Sequence, residues 1–403
     1  MSIQNHNKLS YVKLSSTIFP ASYNVNKFFF TILYSLCVAL SLISFIWDIN
    51  ILIKVNVLLG MLALILLSPR VRREYVPIYI FVVFLAASFL FLSLLVGRTD
   101  WRLLTPIHFI VSGVGIAMIL VRRYVYSWGG YIVFYSLAGY FFMLMLAGVD
   151  GNVALEFCSF NGISMVMLVA CISLYIILSM ENKKIDLKPA LFTLVISIWG
   201  IGRSGIASSF LLLLGLLFVR LRDKPKYIYV IICLLITFIF YALAMFATDY
   251  SFFGNAIDHY LTRETGPSER LIMWTNYFNN LDIFRFIFGA NIVEDPWPEG
   301  EIFEYNIHNS FINLHLQTGF MGLITMALIL FALFRFYRTN KVFFVLLLTL
   351  ILRASTDLFI FFGRFDFIPY FFIFYFLKSL HFRVPHINPH CRYQRTIVHR
   401  GVN

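Results

Sequence analysis

A chain of 403 residues with 60% apolar and only 13% charged side chains is not a soluble globular protein, for those sit near 45–50% apolar and about 25% charged. The net charge of +12 invites a nucleic-acid reading, but in a membrane protein basic residues first report which loops stay in the cytoplasm. Five scattered cysteines, Cys37, Cys158, Cys171, Cys233 and Cys391, have neither the spacing of a disulfide framework nor that of a metal site.

Residues 1–25 are polar and lack the apolar core and small-residue cleavage site of a signal peptide, so the first span is expected to do its own targeting. Apolar runs then fall near 28–47, 50–68, 77–96, 104–121, 131–148, 160–180, 189–202, 205–219, 227–248, 316–334, 342–354 and 366–380. Runs of about 18 or more residues read as membrane-spanning helices. The pattern predicts an all-α polytopic membrane protein: a single integral domain over 1–403 with about twelve transmembrane helices, the seventh, eighth, eleventh and twelfth being short. With the N-terminus inside, "PRVRR", "RRY", "NKK", "RLRDKPK", "RFYRTNK" and the basic tail 381–403 share one side. The positive-inside bias therefore predicts that both termini are cytoplasmic. Topology and anionic headgroups account for the basicity, and no nucleic-acid partner is expected.

One long connection, 249–307, lies between the ninth and tenth helices on the outer side and is acidic. Loops this long are usually functional or disordered, and "SERLIMWTNYFNNLDIFRFIFG" predicts local amphipathic order. Trp274 and Trp297 suit a surface lying on the membrane interface. Tyr305, Trp297 and the acidic run from Glu294 to Glu304 are candidates for holding sugar rings and hydroxyls.

Ionisable groups at spanning depth are expensive and are read first as functional. They are Lys54, His108, Arg203, Arg353, Asp357, Arg364 and Asp366, and all but Lys54 and His108 fall at outer helix ends. Arg203 sits in "SIWGIGRSGIASSFLLLLG", among Gly200, Gly202, Ser204, Gly205 and Ser208, which allow close helix approach. A guanidinium beside a helix N-terminus makes an anion site; the bland alternative is that Arg203 snorkels or pairs with Asp357. Arg270 opens the apolar-periodic run Leu271, Ile272, Trp274, Tyr277 and Phe278, with Ser268 as a possible N-cap. By itself it reads as an ordinary surface arginine. His308 stands at the outer end of the tenth helix, where Asn306 or Asn309 can cap. An imidazole is the usual general base at neutral pH, although a lone boundary histidine is more often satisfied by water. His259 and His315 are read that way. Asp357 and Arg364 line the last outer turn, either orienting substrate or forming a structural pair.

"HNSFINLHLQTGFMG" resembles the motif of the O-antigen ligase and O-antigen polymerase superfamily, with His308, Asn309, Gly319 and Gly322 matching position for position. "GRSGIASSFLLLL" is similar to that family's outer-face arginine followed by an apolar span, and "SERLIMW" to its loop arginine segment, although Glu269 replaces the usual small residue. The motifs cover most of 190–335. The resemblance implies a metal-independent, cofactor-free GT-C-like glycosyltransferase of the Gram-negative inner membrane. It implies transfer of a glycan from undecaprenyl pyrophosphate to an acceptor hydroxyl on the periplasmic face. His308 is then the catalytic base, Arg203 and Arg270 bind pyrophosphate, and Asn309, Gly319, Gly322, Asp357 and Arg364 support them. Membrane lipids, a chain-length regulator and a flippase are the implied neighbours.

Polymerase and ligase share these residues. The "TDLFIFFGRFDF" turn and aromatic-rich composition resemble polymerases, which join a growing chain to a lipid-linked repeat unit; a ligase moves the finished chain to lipid A core. A flippase or transporter is a third reading, disfavoured because no internal repeat is visible and the charges gather at one face.

Overall fold

The computed structural model describes residues 21–68, 72–95, 101–151, 154–155, 161–221, 269–290 and 308–381. Among these every regular element is helical. In chain order they are α1 (Ala21–Ile46), α2 (Asn50–Leu67), α3 (Val76–Leu95), α4 (Trp101–Val121), α5 (Ser127–Leu146), α6 (Asn161–Met180), α7 (Lys188–Trp199) and α8 (Arg203–Leu221). After the undescribed stretch come α9 (Glu269–Asn279), α10 (Ile283–Phe288), α11 (Ser310–Thr318), α12 (Phe320–Thr339), α13 (Lys341–Ala354) and α14 (Phe367–His381). A 3-10 turn, Arg73–Tyr75, leads into α3.

Seven described helices are long and apolar enough to cross a bilayer: α1, α2, α3 with its 3-10 turn, α5, α6, α8 and α12. Shorter apolar helices are formed by Pro106–Val121 of α4, by α7 and by most of α14. Large apolar side chains on α2, α3, α5 and α12 stand open at the protein surface, among them Leu58, Ile65, Phe84, Phe91, Met143 and Phe331. A surface of that kind is tolerable against lipid and not against water. The predicted ninth span, 227–248, lies outside the described residues, as do 249–268, 291–307 and the tail from 382.

The interior is organised around α6, which is buried nearly along its whole length and is flanked by α1, α5, α7, α8, α13 and α14. Small residues set the closest approaches. A Cβ on Gly60 of α2 would stand 2.6 Å from Ser112 Cα of α4, and one on Gly215 of α8 would stand 2.5 Å from the Val345 side chain of α13. In a bilayer, where burying apolar surface between helices gains little, such backbone proximity and its dispersion contacts take over. The α8–α13 contact is the one that matters for the site, because it brings the start of α8 against the end of α13.

The tenth span is not the continuous helix predicted over 316–334. Gly319, at φ +51°, ends α11 and begins α12. A Cβ there would run into the Ile287 carbonyl, and one on Gly322 would stand 2.9 Å from His315 Cα. The two glycines therefore make a corner in which α11 folds against α12 and the α10 segment crosses it closely. Asn309 caps α11 by accepting from Phe311 N at 2.9 Å and Ile312 N at 3.1 Å; Asn340 caps α13 in the same way, accepting from Phe343 N at 3.1 Å.

Candidate active site at the outer helix ends

Four chain segments that the topology places on one side do meet. They are the N-termini of α6, α8 and α11 and the C-terminus of α13, closed by the turn 355–366. The glycine-rich corner after α7 explains part of the convergence: a Cβ on Gly202 would lie 2.8 Å from Asn161 Oδ1, and one on Gly205 would collide with Ser164. Only residues without a side chain let the start of α8 sit this tightly on the start of α6.

At the centre is Arg353, 1% exposed. It donates through Nη1 to Ser204 Oγ at 2.7 Å and through Nη2 to the Asn161 carbonyl at 3.2 Å and to Asp357 Oδ2 at 3.1 Å. Asp357 Oδ1 accepts from Leu358 N at 2.9 Å and lies 3.6 Å from His308 Nδ1. Three groups thus stand in line: a buried guanidinium, a carboxylate it fixes, and an imidazole facing that carboxylate. A buried cation of this kind is strongly destabilising unless paired and hydrogen-bonded on several sides, which is what Asp357, Ser204 and Asn161 supply.

The corner bearing His308 is itself held in place. His308 has φ +49°, an uncommon backbone state for a residue with a Cβ, costing of order 1 kcal/mol or more. Next to it Asn309 donates through Nδ2 to the Ser355 carbonyl at 3.1 Å. Ser310 Oγ donates to the Asp357 carbonyl at 2.8 Å and accepts from Phe359 N at 3.1 Å. The sequence His308-Asn309-Ser310 is therefore an imidazole followed by two anchors, both fastened to the turn that carries Asp357.

Within that turn Phe361 and Phe362 also have left-handed backbones, at φ +62° and +63°. Asp366 holds them, accepting from Phe362 N at 2.8 Å and Gly363 N at 3.1 Å.

The predicted residues divide as follows. Arg203 is the first residue of α8, exposed, beside the Ser204 that Arg353 holds. The reading in which Arg203 pairs with Asp357 is corrected: the carboxylate's arginine is Arg353. Arg364 is not beside Asp357 either. It reaches the end of α1, where Nη2 meets Asp48 Oδ1 at 2.6 Å and Nη1 donates to the Ser44 carbonyl. Arg270 falls in the first turn of α9 as its apolar period predicts; only its backbone position is described. Lys54 is exposed on α2. His259, Ser268, Glu294 to Glu304, Trp297, Tyr305 and Asn306 lie outside the described residues.

His315 has more to do than a boundary histidine. It is 2% exposed, with Nδ1 against the Tyr277 hydroxyl of α9 and Nε2 2.9 Å from the Phe286 carbonyl of α10. Tyr277, Ala290, Ile312 and Leu316 form a small core around it, with Trp274 and Leu281 packed alongside. Through this contact α9 and α10, and with them the helix position of Arg270, are fastened to the helix that follows His308. Burial holds the His315 imidazole below its ordinary value.

Among the described residues no group of three His, Cys, Asp or Glu side chains is gathered as metal ligands are. No family model, curated protein or solved structure matches the chain.

Proposed function

We propose that the chain is a glycosyltransferase of the bacterial inner membrane acting on a polyprenyl-pyrophosphate-linked glycan, as an O-antigen repeat-unit polymerase. The observation that carries the reading is the line His308–Asp357–Arg353–Ser204, because it connects the two motif segments that the chemistry needs together, those of Arg203 and His308, which lie about a hundred positions apart in the chain.

In this reading the acceptor hydroxyl oxygen attacks the anomeric carbon of the donor sugar, and the bond from that carbon to the pyrophosphate oxygen breaks. His308 takes the hydroxyl proton at Nε2, since Nδ1 faces Asp357. The carboxylate orients the ring and stabilises the imidazolium that forms, and Arg353 keeps the carboxylate from turning away. A positioned base of this kind contributes about 10²–10⁴-fold. The pyrophosphate leaves with the bonding electrons. Its added charge is met by Arg203 at the positive end of α8 and by Arg270, whose forked donors suit phosphate oxygens. A carrier with a long apolar tail explains why such a site stands at helix ends, where phosphate meets headgroup depth and the tail lies along apolar helix faces such as those of α2, α3 and α12.

The test is deletion of the gene in a host that makes smooth lipopolysaccharide, followed by gel analysis. Core bearing a single repeat unit is the expected outcome. Bare core with lipid-linked polymer accumulating assigns the ligase reaction to the same residues instead. An unchanged ladder in the deletion strain would sink both. Complementation with His308→Ala, Arg203→Ala and Arg270→Ala, each present at wild-type level in the membrane, is expected to fail.

A further inference from the structure

A second charged cluster lies at the other end of the bundle, where the 3-10 turn Arg73–Tyr75 meets the last residues of α4 and α14. Arg122 follows α4 directly, is 9% exposed, and lays its guanidinium over the Tyr75 ring at 4.6 Å. Its Nε and Nη2 are buried and have no hydrogen-bond partner among the described residues. These two nitrogens form one edge of the guanidinium. Their N–H bonds run parallel, and that edge is the fork that grips two oxygens of one phosphate or carboxylate.

The surroundings supply more positive charge than negative. Lys378 of α14 donates to the Tyr75 hydroxyl at 3.0 Å and to the Val121 carbonyl at 3.4 Å. Its only described carboxylate contact is Glu74, at a loose 3.7 Å. Arg72 and Arg123 stand exposed on either side. Glu74 thus lies against Lys378 and bonds to neither nitrogen of the Arg122 fork. Buried donors are nearly always paired, and a buried cation lacking an anion is costly.

We propose that this end of the bundle is a binding site for a phosphate-bearing anion. The Arg122 fork takes two of its oxygens, and the Lys378 ammonium takes a third by displacing Glu74 from its long contact. Tyr75 fixes the plane of the guanidinium from below. The fork nitrogens are buried, so entry is past the partly exposed Glu74–Lys378 contact, with Arg123 drawing the anion in. A phospholipid headgroup and free phosphate present the same oxygens. The loops here are the ones that the sequence assigns to the cytoplasmic leaflet, where anionic lipids gather against basic segments.

The full-length protein in non-ionic detergent is to be probed by native mass spectrometry with phosphatidylglycerol and with diacylglycerol, which lacks phosphate, and by thermal melting with inorganic phosphate. Phosphatidylglycerol is expected to stay bound where diacylglycerol does not. Arg122→Gln is expected to weaken retention by at least about tenfold, the size of one charge-assisted contact, and Lys378→Gln by less. Arg122→Lys keeps the charge but has no fork, and should stay weak. A rise in melting temperature with inorganic phosphate that Arg122→Gln abolishes assigns the site to soluble phosphate; phosphatidylglycerol retention without that rise assigns it to lipid. Equal phosphatidylglycerol retention by wild type and Arg122→Gln, with no effect of phosphate, overturns the proposal. A structural role alone predicts that Arg122→Gln melts lower in lipid-free detergent. An anion site predicts no loss there, since the substitution removes a buried cation lacking an acceptor. None of these measurements reads glycan transfer, so their failure leaves the His308 reading standing.

Discussion

The two ends of the bundle bury arginines in opposite ways. At the His308 end both terminal nitrogens of Arg353 meet acceptors, with a carboxylate, a hydroxyl and a carbonyl each within hydrogen-bonding distance. At the other end Arg122 has a ring beneath it and a buried fork with no acceptor among the described residues. A closed arrangement of charges fixes geometry, and so suits a site that must hold an imidazole in one orientation. An incomplete one leaves binding energy for something that arrives from outside. The same residue type therefore serves as framework in one place and as receptor in the other, decided by whether the fold itself brings the acceptor.

The sharpest way to break this contrast is at the closed end. His308→Ala is expected to reduce transfer by about 10²–10⁴-fold, and Asp357→Asn by a smaller factor with KM little changed, measured on purified protein with a lipid-linked donor. Activity near wild type in His308→Ala ends the general-base reading. Next in size is Arg353→Met, which strands Asp357. It should destabilise by about 3–5 kcal/mol, read as a lowered melting temperature, and adding Asp357→Asn should recover part of the loss. No recovery means that Arg353 acts by packing and not through its carboxylate.

Gly319→Ala places a Cβ against the Ile287 carbonyl at a left-handed backbone position. A cost of about 1–3 kcal/mol is expected, with faster proteolysis confined to the α9–α10 region. A further test is pH. His315 is neutral while the loop is docked, because burial holds it below the ordinary value. A loosened loop lets it take a proton, so docking weakens as pH falls below about 6.5. Hydrogen exchange in α9 and α10 should rise between pH 7.5 and 5.5 and should lose that dependence in His315→Gln. The smallest effect belongs to Arg364→Gln. Its partner Asp48 is half exposed, and exposed pairs contribute roughly 0–1 kcal/mol, so transfer and melting should both stay near wild type.

Much of this was legible in the chain. Apolar runs locate α1 to α8 and α12 to α14 within a few residues, since a helix crossing lipid must announce itself in continuous hydropathy. The boundary between α7 and α8 follows from the glycines around it, although Arg203, expected in the turn between the two spans, is already the first residue of the second helix. The break at Gly319 was not legible as a break, because hydropathy runs on through it and a left-handed φ shows only when the crossing carbonyl of Ile287 is known. Arg353 and Asp357 were visible as costly charges, and their four-residue spacing on a helix end was a usable signal for pairing. The contacts of Arg353 with Ser204 and Asn161, and that of Arg364 with Asp48, span more than a hundred positions and leave no local trace. His315 looked like any boundary histidine; its role depends on Tyr277 and Phe286, which belong to a loop whose path no periodicity encodes.

The burial of α6 has a consequence for how the protein is made. A helix that ends with almost no lipid contact is nonetheless apolar enough to cross on its own, so it can leave the insertion machinery into lipid and be enclosed afterwards. Two of its neighbours, α13 and α14, are synthesised more than 150 residues later. During that interval one flank of α6 must wait in contact with lipid, with the acceptor carbonyl of Asn161 already placed at its end. The line from Ser204 to His308 can assemble only when α13 arrives with Arg353, so on the proposed reading transfer must wait until that helix has been added.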